Sequence, residues 1–351
     1  MAKRSYSRKG NKIQPAVQTM TFVTPGSGAA TAFIDLSQIA SILNRRFYRQ
    51  GINWAVAGFK VTSLQPGNIT ISKLPNTWVM SNSWEKSFRT WTKMNNEALA
   101  ESQSVRPKFL DFKIYADSAH HQLGFGANLL PYSVPANGVA EVATAGEWES
   151  SKASIPLVSP AGTFQPGETV EREFIATGAS YPGASAATGF DALSLIEGYA
   201  ASRGLPNIAD PNTPSDAPDI GGGTPENWMQ AIFNEGTDQA SDVLEDMITE
   251  NNQAPYPFEN GDDGTGGAFT DTMYPGGANQ LTGLEWHDFG QIYATSDTTN
   301  VGITRLKGGN FPCGLIRLDW APSGEAANLI LQIDLIPGNH RGYLCEPMTE
   351  M

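Results

Sequence analysis

Runs of alternating apolar and polar residues, rich in β-branched and aromatic side chains, lie near both ends of the chain and limit its fold more than any other feature. This period-two pattern is typical of strands with one buried face. It predicts nine strands, over residues 17–24, 54–64, 68–74, 77–81, 109–116, 284–296, 301–306, 314–320 and 328–336. Strand-forming ends around a long interruption favour a fold in which the first and last strands share sheets. We therefore predict an all-β fold, an antiparallel β-sandwich with the topology of a single jelly roll and with helical and loop insertions.

Two helices are predicted in the first half of the chain, and the first of them ends in a cluster of cations. Over residues 35–50, apolar residues recur at four-residue spacing. The last turns carry Arg45, Arg46 and Arg49, where positive charge also suits the helix dipole.

The second predicted helix, over residues 83–100, has an aromatic face and a basic face. Its aromatic stripe, which we predict to be part of the core, is Trp84, Phe88 and Trp91. At about 100° per residue, the opposite face carries Lys86, Arg89 and Lys93. A basic helical face suits either solvent or the phosphates of a nucleic acid, and the pattern leaves both interpretations open.

The middle of the chain differs in composition from both ends. Residues 181–277 are rich in Ala, Gly, Asp, Pro and Asn and contain one basic residue, Arg203. Helices are predicted over 189–202 and 225–251, between loops too long for a compact core. We therefore predict four parts: an arm over 1–16, the first part of the β-domain over 17–180, an acidic outward-facing insertion over 181–277, and the last strands with a C-terminal tail over 278–351.

Charge is divided sharply along the chain. Residues 1–130 hold sixteen Lys and Arg against six Asp and Glu, a net charge of +10. Residues 131–351 hold seven against thirty, a net charge of −23, within an overall charge of −13. The first part should therefore attract polyanions and the second should repel them.

The first residues form a predicted flexible basic arm. No acidic residue occurs before Asp35, and polar residues surround five cations: Lys3, Arg4, Arg8, Lys9 and Lys12. Such arms bind nucleic acid by neutralising phosphates and releasing counterions, which requires charge but no fixed geometry. A solvated tail and a nuclear-localisation signal are the alternatives. No apolar stretch of signal-peptide type follows the basic start, so we expect no secretory signal.

Three segments carry a resemblance to a known family. They are residues 67–86 (GNITISKLPNTWVMSNSWEK), 108–117 (KFLDFKIYAD) and 335–345 (LIPGNHRGYLC). Together they are similar to capsid proteins of small circular Rep-encoding single-stranded DNA (CRESS-DNA) viruses. The resemblance covers about the first third and the last fifth of the chain, and the acidic middle contributes nothing to it.

The resemblance implies a jelly roll of the viral capsid type that assembles with itself into an icosahedral shell of 60 copies or a multiple. It also implies a single-stranded DNA genome held on the basic arm, a location in the virion and assembly in the host nucleus. The arm of this chain is shorter and less charged than the Arg-rich arms common in the family. This departure gives more weight to the six cations of the two predicted helices as genome contacts.

The sequence offers little for catalysis or for a bound cofactor. Its four histidines, His120, His121, His287 and His340, match no hydrolase, metalloprotease or phosphate-loop motif. Strand alternation separates His287 from its acidic neighbours. The acidic loop 259–264 could hold calcium but lacks an EF-hand register, so a solvated turn is the better interpretation. We expect no enzyme activity, no cofactor, no metal site and no membrane-spanning segment.

Two rival functions stay open at this point. An RNA-virus coat protein has the same features, because a basic arm does not distinguish RNA from DNA. A β-sandwich carbohydrate-binding module is the rival outside this class. It would require export and has no need of a basic arm without acidic residues.

Overall fold

The computed structural model describes residues 15–24, 28–98, 112–133, 140–158, 164–179, 190–196, 283–293, 301–323 and 328–351. In chain order they form β1 (Thr19–Val23), β2 (Ala30–Asp35), α1 (Leu36–Asn44), β3 (Ile52–Ser63), β4 (Gly67–Lys73), α2 (Trp78–Ala98), α3 (Ser118–Leu123), β5 (Tyr132–Ser133), β6 (Glu141–Val142), β7 (Ser151–Val158), β8 (Phe164–Thr177), β9 (Phe190–Ser194), β10 (Glu285–Ile292), β11 (Gly302–Phe311), β12 (Leu315–Pro322), β13 (Leu329–Leu335), β14 (Pro337–Gly338), β15 (Gly342–Tyr343) and β16 (Cys345–Pro347). Single 3-10 turns lie at Phe125–Ala127, Pro312–Gly314 and Met348–Glu350.

Two antiparallel sheets form the centre of the described structure. The first sheet has the order β1-β13-β3-β11, with β16 paired to one end of β3, and the second has the order β10-β4-β12-β2. The predicted all-β, antiparallel character is confirmed. The strands predicted over 54–64, 68–74, 314–320 and 328–336 correspond to β3, β4, β12 and β13.

The inner faces of the two sheets share one hydrophobic core. Side chains of a strand point alternately to opposite faces, so the apolar positions of each strand meet on one side. Phe59 of β3 and Leu331 of β13 contribute from the first sheet, and Ile71 of β4 and Leu318 of β12 from the second. Each of the four is at most 2% exposed, and burying such a side chain stabilises the fold by about 1.5–3 kcal/mol.

Glycines let the two sheets approach each other along the edge formed by β10 and β11. A Cβ on Gly290 would lie 2.7 Å from the Leu306 side chain, and one on Gly302 would lie 2.2 Å from that of Ile292. The Asp288 carboxylate also accepts the Lys307 N–H at 2.7 Å, which joins the edges directly. The sheets therefore curl together on this side.

The elements from α2 to β9 all lie in the connection between β4 and β10, residues 74–284. They form a second apolar cluster that includes Trp91, Phe112 and Leu195, together with Leu315 of β12. Strands β7 and β8 pair antiparallel, and β9 adds to β8 in parallel. The connection is thus attached to the second sheet by packing as well as by covalent continuity.

A buried carboxylate joins the central core to this connection. The Oδ1 of Asp35, which is fully buried, accepts the N–H groups of Ser37 and Gln38 at 2.9 and 3.3 Å and so caps α1. Its Oδ2 accepts Gln50 Nε2 at 3.1 Å and Trp148 Nε1 at 3.0 Å. Burial raises the pKa of Asp35 to about 6, against the opposing effect of these four donors.

A second buried polar chain lies beside the first. His120 Nδ1 accepts the Ala116 N–H at 3.0 Å, so its proton resides on Nε2 and is donated to Asn128 Oδ1 at 2.8 Å. Asn128 in turn donates to Gln38 Oε1 at 2.9 Å. Burial lowers the pKa of His120 to about 4, so the ring is neutral at neutral pH and has a structural role.

The strand predicted over residues 77–81 is wrong, because these residues begin α2. Thr77 Oγ1 accepts the Met80 N–H at 3.4 Å and its carbonyl accepts the Ser81 N–H at 3.1 Å. The β-branched and aromatic composition suggested a strand, but a capping threonine just after Pro75 favours a helix start.

The strand predicted over 109–116 is reduced to one bridge within its described part, residues 112–116. Tyr115 pairs in parallel with Thr177, while neighbouring donors bond side chains, as when the Ile114 N–H meets Gln50 Oε1 at 2.6 Å. The segment does not form a regular strand, because side chains bond the backbone N–H groups that a neighbouring strand would otherwise bond.

Three helix predictions have described residues. The helix predicted over 83–100 corresponds to α2 but begins earlier, at Trp78, and the other two need larger corrections. The helix predicted over 35–50 ends at Asn44, because Arg45 has a left-handed backbone. Residues 190–194 of the helix predicted over 189–202 form β9, and the helix over 225–251 lies outside the described residues. Strand β2 was not predicted.

The domain boundaries stay predictions, although the connection that begins at residue 74 starts well before the predicted insertion.

No helix in the described part of the chain is long and apolar enough to cross a membrane.

The pKa of Asp35 predicts a pH-dependent stability. Because its native pKa is about 6 and its ordinary value is 3.8, the native state binds a proton between these values more tightly than the unfolded chain does. Protonation of Asp35 therefore stabilises the folded state by about 3 kcal/mol. This contribution is complete below about pH 4 and is lost as the pH rises through 6. Urea unfolding from pH 4 to 7 should therefore show the free energy of unfolding of the wild type falling by this amount relative to that of Asp35→Asn. A difference that stays constant with pH would contradict the shift.

A matched pair of tryptophans tests the hydrogen bond to Asp35. Trp148→Phe removes a buried donor to a carboxylate and should lower the free energy of unfolding by about 1.5–3 kcal/mol beyond the effect of the smaller ring. Trp320→Phe is the control, because the buried Nε1 of Trp320 has no hydrogen-bond partner among the described residues. Equal losses in the two variants, measured by urea unfolding at pH 7, would exclude a stabilising bond from Trp148.

Candidate nucleic-acid interface

The residues after α1 form a loop that points its cations into solvent. We call residues 45–50 the arginine loop. Arg45 ends the helix with φ 52° and ψ 39°. Side chains alternate along the extended part, with Tyr48 and Gln50 buried and Phe47 and Arg49 exposed. The predicted helical position of its cations is wrong, but the structure does bring Arg45, Arg46 and Arg49 together on one exposed loop.

Tyr48 anchors the arginine loop from below. Its backbone N–H donates to Ser41 Oγ of α1 at 2.8 Å, and its hydroxyl donates to the Arg341 carbonyl at 3.0 Å. Its ring packs against those of Trp54 and Tyr343, with centroids 5.9 and 5.7 Å away. The loop is therefore a fixed part of the fold.

Arg341 is a fourth arginine at this place, and the sequence analysis missed it. It lies in the turn between β14 and β15, and its Nη1 donates to the Phe47 carbonyl. Its guanidinium carbon is 6.0 Å from the centroid of the Tyr48 ring. No local pattern marks Arg341, because only the pairing of the C-terminal turn with the arginine loop brings it here. Burial, and then the charge of Arg341, lowers the pKa of neighbouring His340, which adds no charge at neutral pH.

The basic arm leaves the described structure at the same place. Arg46 Nη1 donates to the Pro15 carbonyl at 3.4 Å, and the Val17 N–H donates to Asn44 Oδ1 at 3.0 Å. The Tyr343 hydroxyl holds the Val17 carbonyl at 2.6 Å. The five predicted cations of the arm, Lys3, Arg4, Arg8, Lys9 and Lys12, lie outside the described residues.

Four exposed arginines lie on the arginine loop or beside it, and we call them the arginine patch: Arg45, Arg46, Arg49 and Arg341. Positive φ at residues other than glycine is uncommon, and among the described residues it occurs at Arg45, Cys313 and Arg341. Two of these three positions therefore belong to the patch. A left-handed backbone costs a side-chain-bearing residue about 1–2 kcal/mol, and such strain tends to occur at functional sites.

A second group of cations, also missed from sequence, lies on the outer face of the first sheet. Lys60 of β3 lies directly opposite Arg305 of β11, and Lys307 follows two residues along β11. Like charges placed opposite each other across strands repel, and an anion bound over them removes that repulsion. Thr19 Oγ1 donates to the carboxylate of Asp334, an acidic residue on this face, at 2.6 Å.

The cations of α2 have different surroundings. Arg89 pairs with Glu85 one turn earlier, Lys86 is exposed, and the side chain of Lys93 lies outside the described part. Helix α2 packs against β7 and the C-terminal 3-10 turn, whereas the arginine loop packs against α1 and the turn at Arg341. The predicted aromatic stripe is confirmed as core, since Trp84 and Trp91 are buried and Phe88 packs against them.

His287 is a described histidine that lies close to carboxylates in the sequence. His287 lies against the Phe59 and Phe311 rings, and its Nε2 is 3.0 Å from the Lys307 carbonyl. No group of three or more His, Cys, Asp or Glu in the described ranges is placed to hold a metal ion. The acidic loop 259–264 lies outside those ranges.

Replacement of Arg45 should separate stability from nucleic-acid affinity. Arg45→Gly relieves the left-handed backbone and should raise the free energy of unfolding by about 1 kcal/mol. It also removes one exposed cation, so the slope of log affinity against log salt for a single-stranded oligonucleotide should fall by about 0.7 if that cation neutralises a phosphate. Arg45→Ala is the control, because it loses the charge and keeps the strain. A glycine variant less stable than the alanine variant in urea unfolding would contradict this reasoning.

The comparisons with known proteins add no relative to this picture. The chain matches no family model, no curated protein and no solved structure. Inference about its function therefore starts from the geometry and charge of its own residues.

Proposed function

We propose that the protein is a viral capsid protein that assembles with itself into an icosahedral shell and encloses circular single-stranded DNA. The observation that carries the proposal is the exit of the basic arm beside the arginine patch, on a two-sheet fold with a jelly-roll strand order. The function is structural and additive. Each copy neutralises a few phosphates, and contacts between copies close the shell.

The strand order supports the jelly roll. Apart from the short β16, the two sheets have eight strands; counted in chain order, the first pairs with the eighth, the second with the seventh, the third with the sixth and the fourth with the fifth. Every one of these pairs is antiparallel. This is the arrangement that results when one long antiparallel hairpin is wrapped into two facing sheets, the architecture of viral capsid and lectin domains.

The position of the long connection fits the same topology. Residues 74–284 join the fourth strand to the fifth, at the turn of the wrapped hairpin. A turn can lengthen without moving any strand out of register, so a large acidic elaboration is tolerated there. We propose that it faces away from the genome, because its negative charge would repel phosphates.

The placement of cations supports a polyanion partner. The arm, the arginine patch and the cations on the outer face of the first sheet are positioned by sequence segments far apart in the chain. Phosphate neutralisation does not distinguish DNA from RNA, so the choice of single-stranded DNA rests on the resemblance of the quoted segments. Location in the virion and assembly in the host nucleus follow from the same resemblance.

A carbohydrate-binding module is the second candidate, and one surface favours it. Strand β10 exposes Trp286 and Phe289, and Tyr293 follows it, with 66, 45 and 66% of their surfaces exposed. The Trp286 and Phe289 rings stand at 89° to each other, which does not give the flat platform that a sugar ring stacks on. A glycan-binding screen of the full-length protein tests this alternative directly.

Electron microscopy of the purified protein, with its 260/280 nm absorbance ratio before and after nuclease treatment, tests the proposal. Closed particles of uniform diameter that hold nuclease-protected nucleic acid are expected. A monodisperse monomer or small oligomer with a protein-like ratio across salt and pH would overturn it. Sequencing and nuclease sensitivity of the protected material distinguish single-stranded DNA from RNA.

Variants that remove positive charge test which cations contact the nucleic acid. Five substitutions to Gln, at Lys3, Arg4, Arg8, Lys9 and Lys12, should leave particles intact. They should reduce the nucleic acid that co-purifies, because these side chains no longer neutralise phosphates. Arg45, Arg46 and Arg49 replaced by Gln should reduce it further. The readout is nucleic acid per particle. If neither set changes it, the contact surface must be sought on α2 or on the first sheet.

A further inference from the structure

We propose that Phe47 is a base-stacking contact, which makes the arginine loop selective for single-stranded over double-stranded nucleic acid. The inference rests on the proposed nucleic-acid binding and assigns a role to a residue that charge alone does not explain. An unpaired base has a free face that an aromatic ring can cover, whereas the bases of a duplex stack on one another.

The Phe47 ring is exposed yet held in place. It is 47% exposed, although the next residue, Tyr48, is 1% exposed. Its carbonyl accepts a bond from Arg341, which fixes the backbone. The ring rests against the buried indole of Trp148, with centroids 6.2 Å apart and planes tilted by 54°. Trp148 is itself fixed by its bond to Asp35. A ring held in this way loses little conformational freedom when a base stacks on it.

The charges around Phe47 suit a nucleic-acid strand. Arg45 and Arg46 precede it in the chain, Arg49 follows it, and Arg341 donates to its carbonyl, so exposed cations flank Phe47 in sequence and one bonds its backbone. Proteins that bind single strands combine a cationic path for the backbone with aromatic rings for the bases. An isolated exposed apolar residue needs no explanation, but this one lies within the arginine patch at the exit of the arm.

Phe289 of β10 provides a matched comparison. Its exposure, 45%, is nearly that of Phe47, and its acidic neighbours in the chain are Asp288 and, four residues before Phe289, Glu285. These carboxylates repel phosphates, so the same ring in this setting should not bind a strand. A substitution of each ring by leucine therefore separates stacking in a basic loop from a general effect of losing an exposed aromatic side chain.

The test uses the full-length protein, stripped of nucleic acid, and fluorescence anisotropy with four probes. The probes are a single-stranded oligonucleotide, the same strand with abasic sites, the corresponding duplex, and a heparin oligosaccharide that carries charge without bases. The variants are Phe47→Leu, Phe47→Tyr and Phe289→Leu, each checked for a cooperative unfolding transition like that of the wild type.

Phe47→Leu should weaken binding of the intact single strand about fivefold or more and leave the duplex, the abasic strand and heparin within about twofold. Its salt slope should equal that of the wild type, because no charge is lost. Phe47→Tyr should retain affinity, and Phe289→Leu should bind as the wild type does.

Other results would overturn the inference in distinguishable ways. Equal weakening of all four probes would mean that Phe47 only positions the arginines, and no change would mean that the ring takes no part. In both cases salt-dependent binding by the wild type would leave the proposed function standing. A wild-type protein that binds none of the nucleic acids at low salt would overturn both proposals together.

Discussion

The buried carboxylate of Asp35 is the interaction on which the arrangement of the interface depends. One of its oxygens caps the N-terminus of α1. The other accepts hydrogen bonds from Gln50, at the end of the arginine loop, and from Trp148, which packs behind Phe47. Taking this carboxylate out of water raises its pKa to about 6, so its four donors must offset a large desolvation cost. These hydrogen bonds hold the backbone of the arginine loop in position despite the repulsion between its cations. The polar interior thus specifies the position of a surface whose own charges would push it apart.

Several strands of the two sheets could be predicted from the sequence, because buried and exposed side chains alternate along them. Ile69 and Ile71 on β4, or Leu331 and Ile333 on β13, produce that period directly. The arginine patch was only partly accessible. Three of its members are close in sequence, but Arg341 arrives through tertiary pairing that no local pattern records. The end of α1 was missed for a related reason, because the backbone of Arg45 is set by the burial of Tyr48 three residues later.

Repulsion and strain are concentrated where the cations lie. Lys60 and Arg305 lie opposite each other across two strands, and Arg45 and Arg341 both have left-handed backbones. Elsewhere, cations are neutralised within the fold, as where Arg317 lies 2.8 Å from Asp117 and 3.0 Å from Asp319. A bound polyanion would remove the repulsion that the fold leaves uncompensated. The repulsion among these cations and their attraction for a polyanion therefore have the same electrostatic origin.

The pairing of early strands with late ones also sets the order in which the chain can fold during its synthesis. Among the described strands, β1, β2 and β3 pair with β11, β12, β13 and β16, and β4 pairs with β10 and β12. None of the first four strands can pair within these sheets until residue 285 or later has been made. Contacts this distant in sequence form slowly, and unpaired strand edges attract other chains in the meantime. A nascent chain therefore keeps these strand edges open until strands β10 to β13 have been synthesised.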